Sequence, residues 1–262
     1  MIDIHVHFWP DPLAPKAIST LSERSGLTPT TDGTLASTEN ELRLHGVTNA
    51  CLMNIATKPS QVETLTDAAA KLNSGFWRSF ASIHPGYENW HDEMVRISEL
   101  GIKGIKLHPD YQGFYIDDDD MVKRYELADS LGLIILFHAG LDIGLPETIH
   151  GTPKRFSNIA QVFTKGRVIM AHMGGFEMLD EVIEFLPGTS CFIDTSFSTE
   201  RLTKPEFDRL YDAFGAERML YGTDTPWGSS RITIDRINSW VESAADREKI
   251  FHGNAASLLG IR

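Results

Sequence analysis

The sequence predicts an α/β chain whose strands close into a (β/α)8 barrel, and three observations predict it. Short apolar or alternating segments recur eight times, with helix-period stretches between them. Their ends fall at residues 7, 54, 84, 108, 138, 172, 195 and 224, and after the first gap they lie about thirty residues apart, one strand–helix unit. Several helical stretches run into glycine (Gly75, Gly101, Gly132, Gly166, Gly188, Gly215), which tolerates the left-handed conformation that stops a helix. Strand then helix, repeated, means parallel strands joined by crossovers. Eight such units in 262 residues favour a closed barrel over an open sheet. Residues 1–262 read as one domain, with no linker, low-complexity tract or internal repeat beyond the unit itself.

The elements follow in order. Residues 2–7 alternate, Ile2, Ile4 and Val6 against Asp3, His5 and His7. Residues 8–38 are rich in Pro, Thr and Ser and read as an extended connection over the C-terminal face of the strands, either a lid or substrate-pocket wall or a floppy surface loop. Strands are expected at 49–54, 79–84, 103–108, 133–138, 168–172, 191–195 and 219–224. Helices are expected at 61–73, 90–100, 121–131, 158–164, 177–186, 205–214 and 232–245. The run Asp117-Asp118-Asp119-Asp120 sits where a helix begins, where acidic side chains cap amides and oppose the macrodipole. Asn254 is expected to cap the last helix.

Composition narrows the function. Lys plus Arg is 24 against Asp plus Glu at 36, a formal charge of −12. That balance repels a phosphate backbone or an anionic membrane, so neither nucleic acid nor a membrane is an expected partner. The first strand leaves no room for a signal peptide, and no apolar run reaches the ~18 residues of a span. The cytoplasm is therefore the expected compartment, with Cys51 and Cys191 as buried free thiols.

The chemistry collects at strand ends, where barrels of this kind build their sites. His5, His7, His84, His108, His138 and His172 lie there, with Asp224 after the eighth strand. Packing explains one such histidine; so many buried polar groups without partners would cost several kcal/mol each, whereas one cation satisfies them together. His5 and His7, two apart on a strand, aim at one point, and His138 and Asp224 can approach from the opposite wall. Three imidazoles and a carboxylate suit zinc or another first-row divalent ion with one position open for water. His84, Lys106 and His108 are candidates for the substrate pocket. Trp9 and Trp227, which follow metal-bearing strands, are candidates for stacking on an unsaturated substrate. Arg155 and His150 could hold a carboxylate or simply decorate a loop surface, while His45, His91 and His252 read as structural.

The ordered set Asp3-Ile-His5-Val-His7, Gly104-Ile-Lys106-Leu-His108-Pro109, His138-Ala-Gly140, Ala171-His172-Met-Gly174-Gly175, Asp194-Thr-Ser196, Gly222-Thr-Asp224-Thr-Pro226 and Gly253-Asn254-Ala255 resembles the amidohydrolase superfamily. Within it the set is most similar to the amidohydrolase-related branch that contains aminocarboxymuconate-semialdehyde decarboxylase. The resemblance spans residues 2–260 and implies a metal-dependent TIM barrel. It implies His5, His7, His138 and Asp224 as metal ligands and His172 as the general acid/base or electrophilic residue, with Asp224 also catalytic. Binuclear members bridge two metals with a carboxylated lysine or a glutamate on strand four. Lys106 faces inward there, but the branch resembled usually carries one metal, so one ion, zinc, is expected and a second with carboxylated Lys106 is the alternative.

The leading expectation is a hydrolase of a small amide, lactone or ester, acting through a metal-activated water. The alternative is a non-oxidative decarboxylase or hydratase of a small unsaturated or aromatic carboxylate. A Schiff-base aldolase using Lys106 leaves the histidines unexplained, and a non-catalytic metal sensor would bind an ion and turn over nothing. An anionic small molecule is the expected substrate, and a homodimer is a candidate assembly.

Overall fold

The computed structural model describes residues 1–261. Its eight strands are β1 Ile2–Val6, β2 Asn49–Met53, β3 Trp77–Phe80, β4 Gly104–Leu107, β5 Ile134–Phe137, β6 Val168–Met170, β7 Phe192–Asp194 and β8 Met219–Leu220. Order within each sheet is chain order, β1-β2-β3 and β4-β5-β6-β7-β8, and the registered pairs are parallel. Two links join the sheets. Ala81 pairs with Ile105, its amide donating to Gly104 O while Lys106 N–H donates to Ala81 O. At the other end Ile4 N–H donates to Tyr221 O and Val6 bridges to Thr225. Hydrogen-bond order therefore returns from β8 to β1, as the eightfold pattern predicts.

The chain packs as two compact units, one of Met1–Leu52 with Asp194–Arg262 and the other of Met53–Ile193. In the first, every residue of β1 is buried, as a parallel strand covered on both faces requires. Ile2, Ile4 and Val6 join Tyr221 and Ile250 in an apolar core, while Asp3 and His5 turn to the opposite face. The connection after β1 differs from the extended loop expected, because it contains a helix at Ala14–Ser25 and then the helix Leu35–Leu44. Only Ala14 of the first of these is fully buried, so no apolar stripe announced it. The stretch between the helices is pinned: Thr30 N–H donates to Pro226 O at 2.7 Å and Trp9 N–H to Gly33 O at 2.8 Å.

In the second unit the ladder runs in register, Gly104 opposite Ile134 and Lys106 opposite Leu136. Phe137, Tyr125, Phe156 and Phe163 form an aromatic cluster behind it, with Tyr125 5.2 Å from Phe137 and Phe156 5.6 Å from Phe163. The helix expected at 158–164 starts earlier, at Pro153, because Thr152 Oγ accepts Arg155 N–H and proline occupies the first turn. The acidic run does more than cap. Asp118 accepts Tyr115 N–H, Asp120 pairs with Lys123, and Asp117 pairs with Arg155 and Asn158. The third strand ends sooner than 84 because Ser82 Oγ intervenes, accepting Ala56 N–H and donating to Lys106 O.

In the first unit the helix expected at 232–245 divides into Ser230–Trp240 and Ala244–Glu248. Val241 is extended at the break, with its carbonyl held by Arg247. Asn254 does not cap the last helix; its amide donates instead to Ala216 O and Met219 O.

Gly140, just after β5, sits at φ 81°, and a Cβ there would stand 2.2 Å from Phe176 N. Gly140→Ala should lower unfolding free energy by about 3 kcal/mol, from overpacking plus left-handed strain. Urea denaturation measures it, and a loss under about 1 kcal/mol would contradict this close approach.

Candidate functional site

In the first unit, the alternation of β1 puts His5 and His7 on the face of Asp3. Asp3 is fully buried and acts as a clamp: Oδ1 accepts the amides of His5 and Thr223, and Oδ2 accepts Thr223 Oγ1 at 2.7 Å. Burial pushes its carboxyl up to about 7 against those hydrogen bonds. His5 is fully buried, and Nδ1 lies 3.0 Å from Asp194 Oδ2 and 3.1 Å from Ser196 Oγ, Ser196 itself donating a short bond to Asp194. With Nδ1–H given to Asp194, the Nε2 lone pair is exposed to coordination, the carboxylate–histidine arrangement that orients metal ligands.

Three donor atoms converge on that side. His5 Nε2 is 3.2 Å from His7 Nε2 and 3.4 Å from Asp224 Oδ1, and His7 Nε2 is 3.1 Å from Asp224 Oδ1. Donors bonded to one tetrahedral ion at ~2.0–2.1 Å stand about 3.3 Å apart, so the triangle fits a zinc-sized cation. Asp224 is held for this in a left-handed backbone, φ 65°, which a non-glycine residue keeps only when its surroundings over-determine it. Its amide donates to His5 O, and its carbonyl accepts Trp227 N–H.

The second unit gathers Lys106, His108, His138, Asp142 and His172. His138 Nδ1 lies 3.1 Å from His172 Nε2, and its buried Nε2 has no hydrogen-bond partner. Burial and the neighbouring His108 and His172 hold the His138 pKa well below the ordinary histidine value, so it is a neutral ring with a lone pair to offer. His172 and Met173 also occupy left-handed backbone, φ 58° and 56°.

His108 stacks on His138 with ring centroids 4.0 Å apart and planes 10° from parallel. Its Nδ1 accepts Tyr111 N–H, and its Nε2 lies 3.1 Å from Asp142 Oδ2. His108, His138 and Asp142 bring possible ligand atoms within 4.8 Å of one another, yet the two rings cannot share an ion. An imidazole lone pair lies in its ring plane, and planes this nearly parallel meet only far beyond the reach of a metal–nitrogen bond.

Other residues singled out by the sequence fall as follows. Lys106 is buried in β4 at 1% exposure. His84 Nδ1 accepts Gly86 N–H at 3.0 Å, and burial lowers its pKa. Trp9 and Trp227 meet edge to face, 6.4 Å between centroids. Arg155 pairs with Asp117 and lies 4.0 Å over Tyr115, while His150 Nδ1 lies 2.7 Å from Asp110. Cys51 and Cys191 are buried and lie outside any disulfide. Sequence reasoning did not single out Asp194 as the partner of His5, although it ends a strand; Asp142 lies in a loop that carries no periodic signal.

Asp194→Asn should weaken divalent-metal binding about 10–100-fold by removing the acceptor that orients His5. Arg155→Met should leave metal affinity unchanged and cost about 1 kcal/mol of stability. Chelator competition and thermal melts check both, and wild-type affinity in Asp194→Asn would contradict the orienting role.

Comparison with known proteins supplies the context. Solved structures share the fold at low identity. An uncharacterized TIM-barrel protein from Bordetella bronchiseptica is 18% identical with TM-score 0.75, covering 100% of this chain and 99% of its own. A structure described as a probable 2-pyrone-4,6-dicarboxylic acid hydrolase from Acinetobacter baumannii, with citric acid bound, is 17% identical with TM-score 0.70, covering 99% and 98%. A dihydroxybenzoic acid decarboxylase from a Polaromonas species, with manganese and 2-nitroresorcinol bound, is 16% identical with TM-score 0.69, covering 99% and 96%. No curated protein matches the chain. The fold is therefore the (β/α)8 barrel that the strand ends predict. A family model described as amidohydrolase matches residues 2–261, and the chain belongs to that family.

Proposed function

We propose that this protein is a metal-dependent hydrolase of a small, anionic amide, lactone or ester. The observation that carries the reading is the triangle of His5 Nε2, His7 Nε2 and Asp224 Oδ1, whose separations match those around one divalent ion. His5, His7 and Asp224 would hold the ion, and the family resemblance adds His138, whose Nε2 is buried and unpartnered. One zinc ion is the proposed complement, and a second ion on a carboxylated Lys106 is the alternative. A bound divalent ion acidifies a water and polarises a carbonyl oxygen.

The chain's own residues supply the remaining work. Asp224 accepts the proton lost as the nucleophile forms. His172, whose Nε2 meets His138 Nδ1, is the group proposed to protonate the leaving atom or stabilise the developing oxyanion. Lys106, His84 and His108 are proposed to border an anionic substrate, with the whole chain acting as one domain. Among the described residues no helix is long and apolar enough to cross a membrane, and the cytoplasm remains the proposed compartment. A homodimer is the proposed assembly.

A second reading rests on the Trp9–Trp227 pair, whose members follow His7 and Asp224 by two and three residues and suit a flat unsaturated ring. In that reading the substrate is an aromatic or unsaturated carboxylate, and protonation at carbon replaces hydrolysis.

Two measurements test these readings. Elemental analysis should find near-stoichiometric metal in the wild type and little in His5→Ala or Asp224→Asn; equal content in all three would overturn the site. Carbon dioxide release from a panel of aromatic and unsaturated carboxylates, without turnover of lactones or amides, would replace the hydrolase reading with the lyase one.

A further inference from the structure

Asp142 and His108 lie outside the proposed ligand set, and their geometry is more ordered than a pocket wall requires. Asp142 is fixed at both oxygens, Oδ1 accepting Gly144 N–H at 2.7 Å and Oδ2 facing His108 Nε2 at 3.1 Å. Because His108 Nδ1 accepts Tyr111 N–H, its proton sits on Nε2 and is donated to Asp142. The tautomer is thereby set by two protein partners, and the side chain of Tyr111 packs edge-on, 4.4 Å from the His108 centroid. This held ring lies flat on His138 at 4.0 Å.

Two physical consequences follow. The torsion that sets an imidazole plane is broad and soft, so the parallel neighbour removes rotation that would swing His138 Nε2 off its direction. An ion held by His138 would also draw electron density from its ring. A facing ring hydrogen-bonded to a carboxylate is richer in density, so the stack becomes more attractive when the ion is bound.

We propose that Asp142 and His108 are a positioning pair for His138, raising its affinity for a divalent cation through ring stacking. This deepens the metal reading above and rests on it for the assignment of His138 as a ligand. Outer partners of metal-binding histidines usually act by hydrogen bonds to the ring N–H; here His172 faces His138 Nδ1, and the carboxylate acts one ring away.

The test uses the full chain and zinc ion alone, with affinity from chelator competition and folding checked by near-ultraviolet circular dichroism. Asp142→Asn should weaken zinc binding ~10-fold, the scale of outer-partner losses. His108→Ala should weaken it at least as much. His108→Phe keeps a ring over His138 without the carboxylate partner and should fall between wild type and His108→Ala; it also serves if His108→Ala fails to fold. Cobalt-loaded Asp142→Asn should show shifted visible bands, which a role in folding alone would not move. Asp117→Asn, which breaks the Arg155 pair, should bind as wild type. Wild-type affinity and unshifted cobalt bands in Asp142→Asn, with His5→Ala and Asp224→Asn losing metal, would overturn the positioning pair alone. If His5→Ala and Asp224→Asn also bound as wild type, the metal reading itself would fall.

Discussion

The site depends first on the buried bond between His5 and Asp194. His5 has no solvent exposure and neither does Asp194, and an unpaired carboxylate at such depth would cost several kcal/mol. Giving Nδ1–H to Asp194 satisfies the carboxylate and fixes the tautomer. The Nε2 lone pair must then face His7 and Asp224. Asp3 supports this from below by holding the amides of both His5 and Thr223, so the backbones of β1 and the segment after β8 share one carboxylate. Asp224 and the two imidazoles then bring three donor atoms together in a place with little water. A divalent cation is the simplest partner for that triangle.

The same economy appears in the second unit, where one imidazole face supports another. His138 is neutral because it is buried among His108 and His172, and neutrality is what a metal ligand needs. His108 has both ring nitrogens engaged by protein groups. Left-handed backbone recurs at Asp224 and His172, the residues proposed for proton transfer, which is where strained conformations concentrate in enzymes.

Legibility in the sequence followed periodicity. Eight strands were readable because alternation and continuous apolar runs are direct consequences of which faces are covered, and strand ends mark where sites are built. His5, His7 and Asp224 were readable for the same reason, and the structure brings them together. Residues 8–38 were read as extended because proline and threonine dominate, yet twelve residues from Ala14 form a helix; proline is compatible with a first turn, and a helix with one fully buried residue leaves no stripe to read. Asp142 had no signal, since its place is set by its carboxylate accepting a loop amide and facing His108, neither of which has a period. Asn254 was read as a cap, but its side chain found two carbonyls brought near by the fold. Tertiary partners decide such polar side chains, and a single sequence does not display them.

The family membership and the donor triangle converge on one central claim, that imidazole and carboxylate donors hold a divalent ion. X-ray absorption at the edge of the bound metal tests it most directly. The account predicts a first shell of nitrogen and oxygen at about 2.0–2.1 Å, with the outer-ring scattering that imidazoles produce. A shell of sulfur at about 2.3 Å, or nitrogen and oxygen scatterers with no imidazole signature, would contradict it.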